Sequence, residues 1–399
     1  MSDTTAPVLP TAPLPPQSRA EPVGIAWSGP TWGLAGLGLV NLLLTVITLG
    51  VYHFWAKTEV RRRLAASIRI NGEPMEYTGT GRELFLGFLL IFLIILLPVL
   101  LLAMGAQLLL GQGAALVMLP IYALFFYLYG VAVYRARRYR RSRLRWRGVR
   151  GSVVGNSWSY GLMQLWTTLV GFVTYGWLTP WRDNYLHRRV TNDTRFGDRA
   201  FLYKGSAGVL YPSYSLAWVG SLVIFLVVFG VGAALLWPTA KPLFDAMVTA
   251  TGPDGKVDWA QPELKALLPR LFALIGAAYG LLALASLIAG VLWSLFYARE
   301  YRYFAEQTTL EGLRFKLDVR GWSMFWLFFS NTLMSFLSLT ILSPVAEARV
   351  ARYFINRLSA EGSIDFAGIL QSQQRLSRTG EGLAEAFDVE ANSYFILSI

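Results

Sequence analysis

The chain has 399 residues, of which 54% are hydrophobic and only 15% charged, against roughly 25% charged in a typical soluble domain. Its formal charge is +12, but the Lys and Arg residues gather at the ends of apolar runs and no nucleic-acid-binding motif accompanies them, so the excess implies membrane anchoring, with no nucleic acid as partner. The absence of cysteine excludes disulfides, thiolate catalysis and Cys-based zinc or iron–sulfur sites. His53 and His187, the two histidines, lack HExxH-type spacing, so no metal or other cofactor is expected.

Residues 1–22 are Pro-rich and read as a disordered leader; they lack the basic region of a cleavable signal peptide. Residues 23–380 read as one polytopic membrane domain, and 381–399, with Glu381, Glu385, Asp388 and Glu390, as an acidic cytoplasmic tail. Four runs carry no charge: Leu84–Leu110, Ala114–Tyr134, Ser215–Trp237 and Leu271–Ala298. Each is long enough as a helix to cross the ~30 Å hydrocarbon core, which takes about 20 residues. Nine arginines crowd the stretch Arg135–Arg150 after the second run. Residues 238–270 read as a Pro-punctuated, mixed-charge loop with helix around Pro262–Leu268.

A unit occurs three times, at about 24–80, 144–208 and 313–369. The first copy runs IAWSG, an apolar stretch, TLGVYHFW, KTEVRRRL and MEYTGTG; the second runs LRWRG, an apolar stretch, TYGWLTPW, RDNYLHRR and FLYKGS. Thr48, Gly50, Trp55, Arg62 and Arg63 fall on Thr174, Gly176, Trp181, Arg188 and Arg189 at a constant offset. In the third copy Asn331 falls on Asn41 and Arg352 on Arg62, but Thr340 replaces Gly50 and Val345 replaces Trp55. Each copy reads as strand, apolar helix, a Thr-x-Gly break, a basic amphipathic stretch and a second strand.

Charge decides how these units meet the bilayer. If 33–56, 158–181 and 323–346 each crossed once, 12 of the 36 basic residues would lie outside; if they fold back, four would (Lys241, Lys256, Lys265 and Arg270). The positive-inside rule favours the second arrangement. The expected fold is therefore an all-α integral membrane protein: two transmembrane helical hairpins, three fold-back repeat units in place of single spans, and short cytoplasmic strands able to join in one small sheet. Both termini are expected in the cytoplasm.

The runs NLLLTVITLGVYHFWAKTEVRRRL and EYTGTGRELFLGF, and SRLRWRGVRGSVVGNSWSYG with RFGDRAFLYKGSAGVLY, resemble the YjgN family of bacterial inner-membrane proteins, from about Gly24 to about Ile369. The chain departs from that pattern at Thr58-Glu59 and in the third repeat. The resemblance implies an inner-membrane location and a domain of unknown function, with no catalytic residues to carry over.

Polar residues inside the apolar repeat segments form one candidate site: Asn41, Thr45, Thr48, Thr174, Asn331 and Thr340, with Thr167 and Thr168 beside them. Broken helices presenting such groups bind substrates in transporters; the plain alternative is interhelical hydrogen bonding. Arg135, Arg137, Arg138, Arg140, Arg141 and Arg143 are the candidate contacts to anionic lipid headgroups, or simply the anchor of the second span. Asp183, Glu300 and Glu347 each lie beside an arginine in sequence and read as interfacial ion pairs. The expected function is a non-catalytic envelope or lipid-associated membrane protein whose partner is the bilayer. A small-molecule or ion permease or channel is the alternative, and a membrane-embedded enzyme a distant one.

Overall fold

Alternation marks the strands: in Leu313–Leu317, Leu313 and Leu317 are buried while Arg314 and Lys316 are exposed. The computed structural model describes residues 21–251, 255, 257, 262–366 and 368–372. The leader as far as Ala20 and the acidic tail lie outside the described residues, and Glu21–Pro22, assigned by the sequence to the leader, form strand β1.

Strand β2 (Ile25–Trp27) leads into α1 (Ala35–Ile47) and α2 (His53–Ser67), and β3 (Ile68–Ile70) returns antiparallel to β2 with Ile25 opposite Ile70. Next come β4 (Glu73–Pro74), β5 (Glu76–Tyr77) and α3 (Gly81–Ile91), which continues through the π-helical stretch Phe92–Leu96 into α4 (Leu97–Leu110). Helix α5 (Ala114–Arg143) comes back, and β6 (Leu144–Trp146) pairs with β5. The first pattern then recurs as β7 (Val149–Val153), α6 (Ser157–Val173), α7 (Thr179–Asn192) and β8 (Thr194–Phe196), with Ser152 opposite Arg195. The second recurs as β9 (Arg199–Tyr203), α8 (Tyr211–Thr249), α9 (Pro262–Glu306) and β10 (Thr308–Leu310), with Thr309 opposite Leu202. Finally β11 (Leu313–Leu317), α10 (Gly321–Leu337), α11 (Ser343–Ile355) and β12 (Leu358–Glu361) repeat the first pattern again, and β13 (Ser363–Ile364) pairs with β1.

Each helical excursion thus starts and finishes on two hydrogen-bonded antiparallel strands. Three of the four joins between excursions are tight X-Gly turns, Asn71-Gly72, Arg147-Gly148 and Glu311-Gly312, in which both residues have positive φ, and the fourth is Gly197-Asp198; the X-Gly backbone suits the twist of a two-residue hairpin. Eight strands run in the order β12-β11-β10-β9-β8-β7-β6-β5 and three in the order β2-β3-β4. Met75, between β4 and β5, donates its N–H to the Ile68 carbonyl of β3, and β12 lies beside β2 with no hydrogen-bonded pairing among the described residues, so the strand order runs round in a ring that is not bonded throughout. This is more sheet than the short segments the sequence suggests. A three-residue strand has no stability alone; here β6, β8 and β10 each have one partner across a tight turn and another far away in sequence.

The Thr-x-Gly break is a helix C-cap of Schellman type in all three repeats. Gly50 N–H donates to Thr45 C=O (2.7 Å), Gly176 to Gly171 (2.8 Å) and Thr340 to Ser335 (2.8 Å). The left-handed residues ahead of these donors are Leu49, Tyr175 and Leu339. Thr48 Oγ1 donates to the Leu44 carbonyl and accepts from Tyr52 N–H; in the third repeat Ser338 fills the same position and accepts from Leu342 N–H. Thr340 holds φ +69 where the first two copies have glycine, a costly conformation for a β-branched residue. The break therefore persists without its glycine.

Four helical segments are long and apolar enough to cross a membrane: Gly81–Leu110, Ala114–Arg143, Ala207–Thr249 and Leu264–Glu306. Their outward side chains are apolar: Leu108 and Leu116 are more than four-fifths exposed, as lipid-facing residues are. The molecule is a mostly helical integral membrane protein. The reading of 238–270 as a loop is corrected: α8 passes through Pro238 and Pro242 to Thr249, and α9 begins at Pro262. Each proline removes one helical hydrogen bond, which apolar flanks in a membrane helix tolerate.

Helix α8 also completes the second repeat's break. Trp218 Nε1–H donates to the Tyr175 carbonyl (3.1 Å) and its ring packs edge-on against Trp177 (5.4 Å). Trp218→Phe is expected to lose that bond and lower the unfolding free energy in detergent by about 1 kcal/mol. A variant as stable as the parent would mean that the carbonyl has another donor.

Candidate functional site

Ring strands and helix bases enclose a cavity of about 740 Å³. Apolar strand residues line it, among them Ile25, Ile68, Leu144, Trp146, Phe196, Phe201, Leu310, Leu313 and Phe315, because alternation turns every second residue of each strand the same way. Helices supply the polar part: Arg137 and Arg141 from α5, Tyr160 and Gln164 from α6, Arg182, Asp183 and His187 from α7, and Tyr297, Glu300 and Tyr301 from α9. Helical spacing explains the convergence. Tyr129, Val133, Arg137 and Arg141 recur every four residues on one face of α5, and Tyr297, Glu300, Tyr301 and Phe304 share one face of α9.

Within the polar part Arg182 Nη2 lies 2.9 Å from Asp183 Oδ1. Burial pushes the Asp183 carboxyl above its usual range, and the Arg182 charge opposes this. His187 stacks on Phe304 (4.1 Å) and meets Tyr203 edge-on (4.8 Å), and its Nε2 is 3.2 Å from Thr191 Oγ1. Burial, then the charges of Arg137 and Arg141, push its pKa down to about 3, so the imidazole is neutral at physiological pH. Glu300 is 4% exposed, and its Oε1 has no hydrogen-bond partner among the described residues. Arg141 donates to Thr194 Oγ1. The chamber thus combines apolar walls with a charged cluster of both signs. At its strand end, Phe366 of the C-terminal segment packs on Trp146 (4.7 Å), and Gln371 Nε2 donates to the Gly148 carbonyl (2.7 Å).

A family described as "Bacterial protein of unknown function (DUF898)" matches residues 23–386. The chain belongs to the DUF898 family. Over 56 residues this DUF898 chain is 46% identical to the inner membrane protein YjgN of Salmonella typhimurium, which is 14% of each chain. Over 51 residues it is 43% identical to YjgN of Escherichia coli K12, 13% of each. The aligned stretch is therefore a small part of either relative's length. No solved structure matches the chain.

In this DUF898 member the polar residues picked from the repeats do not converge. Asn41, Thr167 and Asn331, at equivalent positions, are all buried, and Asn331 Nδ2 donates to the Ala346 carbonyl (3.2 Å). Thr48 and Thr174 bond their own helix, Thr45 is half-buried and Thr340 is exposed. None of the six candidates lines the chamber. The arginine cluster divides. Arg135 lies over Trp158 (5.0 Å), Arg138 donates to the Gly155 carbonyl, Arg140 is 1% exposed, and Arg143 pairs with Glu83 (2.9 Å). Arg137 and Arg141 alone of the six face the chamber. Sequence reasoning missed Glu300 and His187 as members of this site. Adjacent helical residues point about 100° apart, so Arg299 is exposed while Glu300 is buried, and they do not share the interface that their adjacency suggests. The signal that could have found Glu300 is its run with Tyr297, Tyr301 and Phe304, one helical face carrying a single acid among aromatics.

Proposed function

We propose that this chain is a multi-pass, non-catalytic protein of the bacterial inner membrane that holds a lipid-like amphiphile in the strand-walled chamber. The location follows the relatives' name as inner membrane proteins. In this reading α3–α4 with α5, and α8 with α9, are the two transmembrane hairpins, while α1–α2, α6–α7 and α10–α11 enter and leave by one leaflet. The strand ring and both termini are cytoplasmic, where the positive-inside rule puts 32 of 36 basic residues. The antiparallel strands flanking every excursion support this, since a single crossing would part them.

The observation that carries the functional reading is the chamber itself: about 740 Å³, within the ~300–1,000 Å³ of small-molecule sites, mainly apolar along the strands, which add Arg145 and Arg195, and charged at the helix bases. That polarity suits a headgroup joined to one acyl chain. Lipid extracted from the protein purified in mild detergent should contain one amphiphile enriched over the bulk membrane. Ala305→Trp, which places an indole in the chamber, should reduce its retention about tenfold or more, while circular dichroism shows an unchanged fold. Retention of no amphiphile, or equal retention by a folded Ala305→Trp, would refute the reading. The half-buried Asp183 and the buried Glu300 favour a permease as second reading, because carriers place ionisable groups within the membrane; proteoliposome flux abolished by Asp183→Asn would favour it.

A further inference from the structure

The chamber's charges are unevenly satisfied. Asp183 has Arg182 at 2.9 Å, whereas the Glu300 carboxylate is 4% exposed with Oε1 unbonded among the described residues. Leaving a buried carboxylate oxygen unpaired is expensive, and groups left so in a cavity point to what fills it. Glu300 is flanked on its helix face by Tyr297 and Tyr301, whose rings suit an organic cation. Across the same chamber Arg137 and Arg141 offer guanidinium groups of the kind that binds phosphate oxygens.

Resting on the lipid reading above, we propose that the chamber selects an amphiphile whose headgroup carries both a phosphate and a primary ammonium. The ammonium donates to Glu300, and the phosphate accepts from Arg137 and Arg141. A purely anionic headgroup satisfies the arginines but leaves Glu300 unpaired beside a second negative charge. A primary ammonium supplies three N–H donors and a compensating charge.

The test is competition for the full chain in detergent, read by native mass spectrometry, between lysophosphatidylethanolamine and lysophosphatidylglycerol bearing the same acyl chain. The parent protein should prefer the ethanolamine lipid by about tenfold or more, the scale of one charge-assisted hydrogen bond. Glu300→Gln should bring the preference to near unity while the glycerol lipid still binds. O-phosphoethanolamine, which has the headgroup without the chain, should displace the lipid only at about 100-fold or greater excess. A parent protein with no preference, or one for glycerol, overturns the proposal whatever the variant does, and a preference that survives Glu300→Gln also overturns it. Equal potency of O-phosphoethanolamine would assign the site to a soluble metabolite. Binding of neither lipid would sink the lipid reading itself, an outcome distinct from loss of selectivity alone.

Discussion

Cysteine at Lys265 is expected to react fully with a membrane-impermeant maleimide in intact cells, while cysteine at Arg189 or Lys316 reacts only after the membrane is permeabilised. The parent chain has no cysteine, so each signal belongs to one position. Lys265 lies in the first turns of α9, at the end of the hairpin far from the ring. Arg189 lies near the end of α7, next to β8, and Lys316 lies on β11. The strands that bracket α6–α7 pair with one another, as do those that bracket α10–α11. If these helix pairs crossed as single spans, the paired strands would have to lie on opposite sides of a ~30 Å hydrocarbon layer. Labelling of Arg189→Cys in intact cells would therefore refute the fold-back topology.

The second large effect is expected at Gly38. A Cβ at this position of α1 would stand 2.0 Å from the Ile341 carbonyl oxygen and 3.3 Å from Pro344, at the break between α10 and α11. The obstacle is backbone and cannot rotate away, so Gly38→Leu must push the first repeat off the third. Overpacking of this kind costs roughly 1–3 kcal/mol and sometimes more. The control is Gly36 on the same helix, where an added Cβ meets nothing within 4 Å; Gly36→Leu should leave stability near that of the parent. Thermal unfolding in detergent, followed by circular dichroism, compares the two. Equal melting temperatures for Gly38→Leu and the parent would mean that α1 does not depend on this contact.

The spans were legible because hydrocarbon imposes a simple composition: Leu84–Leu110 and Ala114–Tyr134 fall inside the helical segments Gly81–Leu110 and Ala114–Arg143. The breaks were legible from Thr48-Leu49-Gly50 and Thr174-Tyr175-Gly176, where the glycine does have positive φ and the residue before it joins it there. The ring was not legible, because a strand such as Thr194–Phe196 is defined by partners at Ser152 and Ala200 and not by its own three residues. Nor was the chamber. Its charged groups come from α5, α7 and α9 and from Arg145 and Arg195 on the strands, and only the ring brings these elements together. Thr48 and Thr174 stand apart from the chamber and spend their hydroxyls on their own helix ends, a local demand that looks in sequence like a ligand site.

Helices α8 and α9 have 39 and 45 residues, which at ~1.5 Å per residue reach about 58 and 67 Å. Even the full bilayer with its headgroups is only ~40–45 Å thick. If the ring lies in the cytoplasm, as proposed above, helices of this length would stand clear of the opposite surface. In the orientation proposed above, such a pair would carry a two-helix mast into the periplasm, where antibodies, proteases or envelope partners could touch it without entering the membrane.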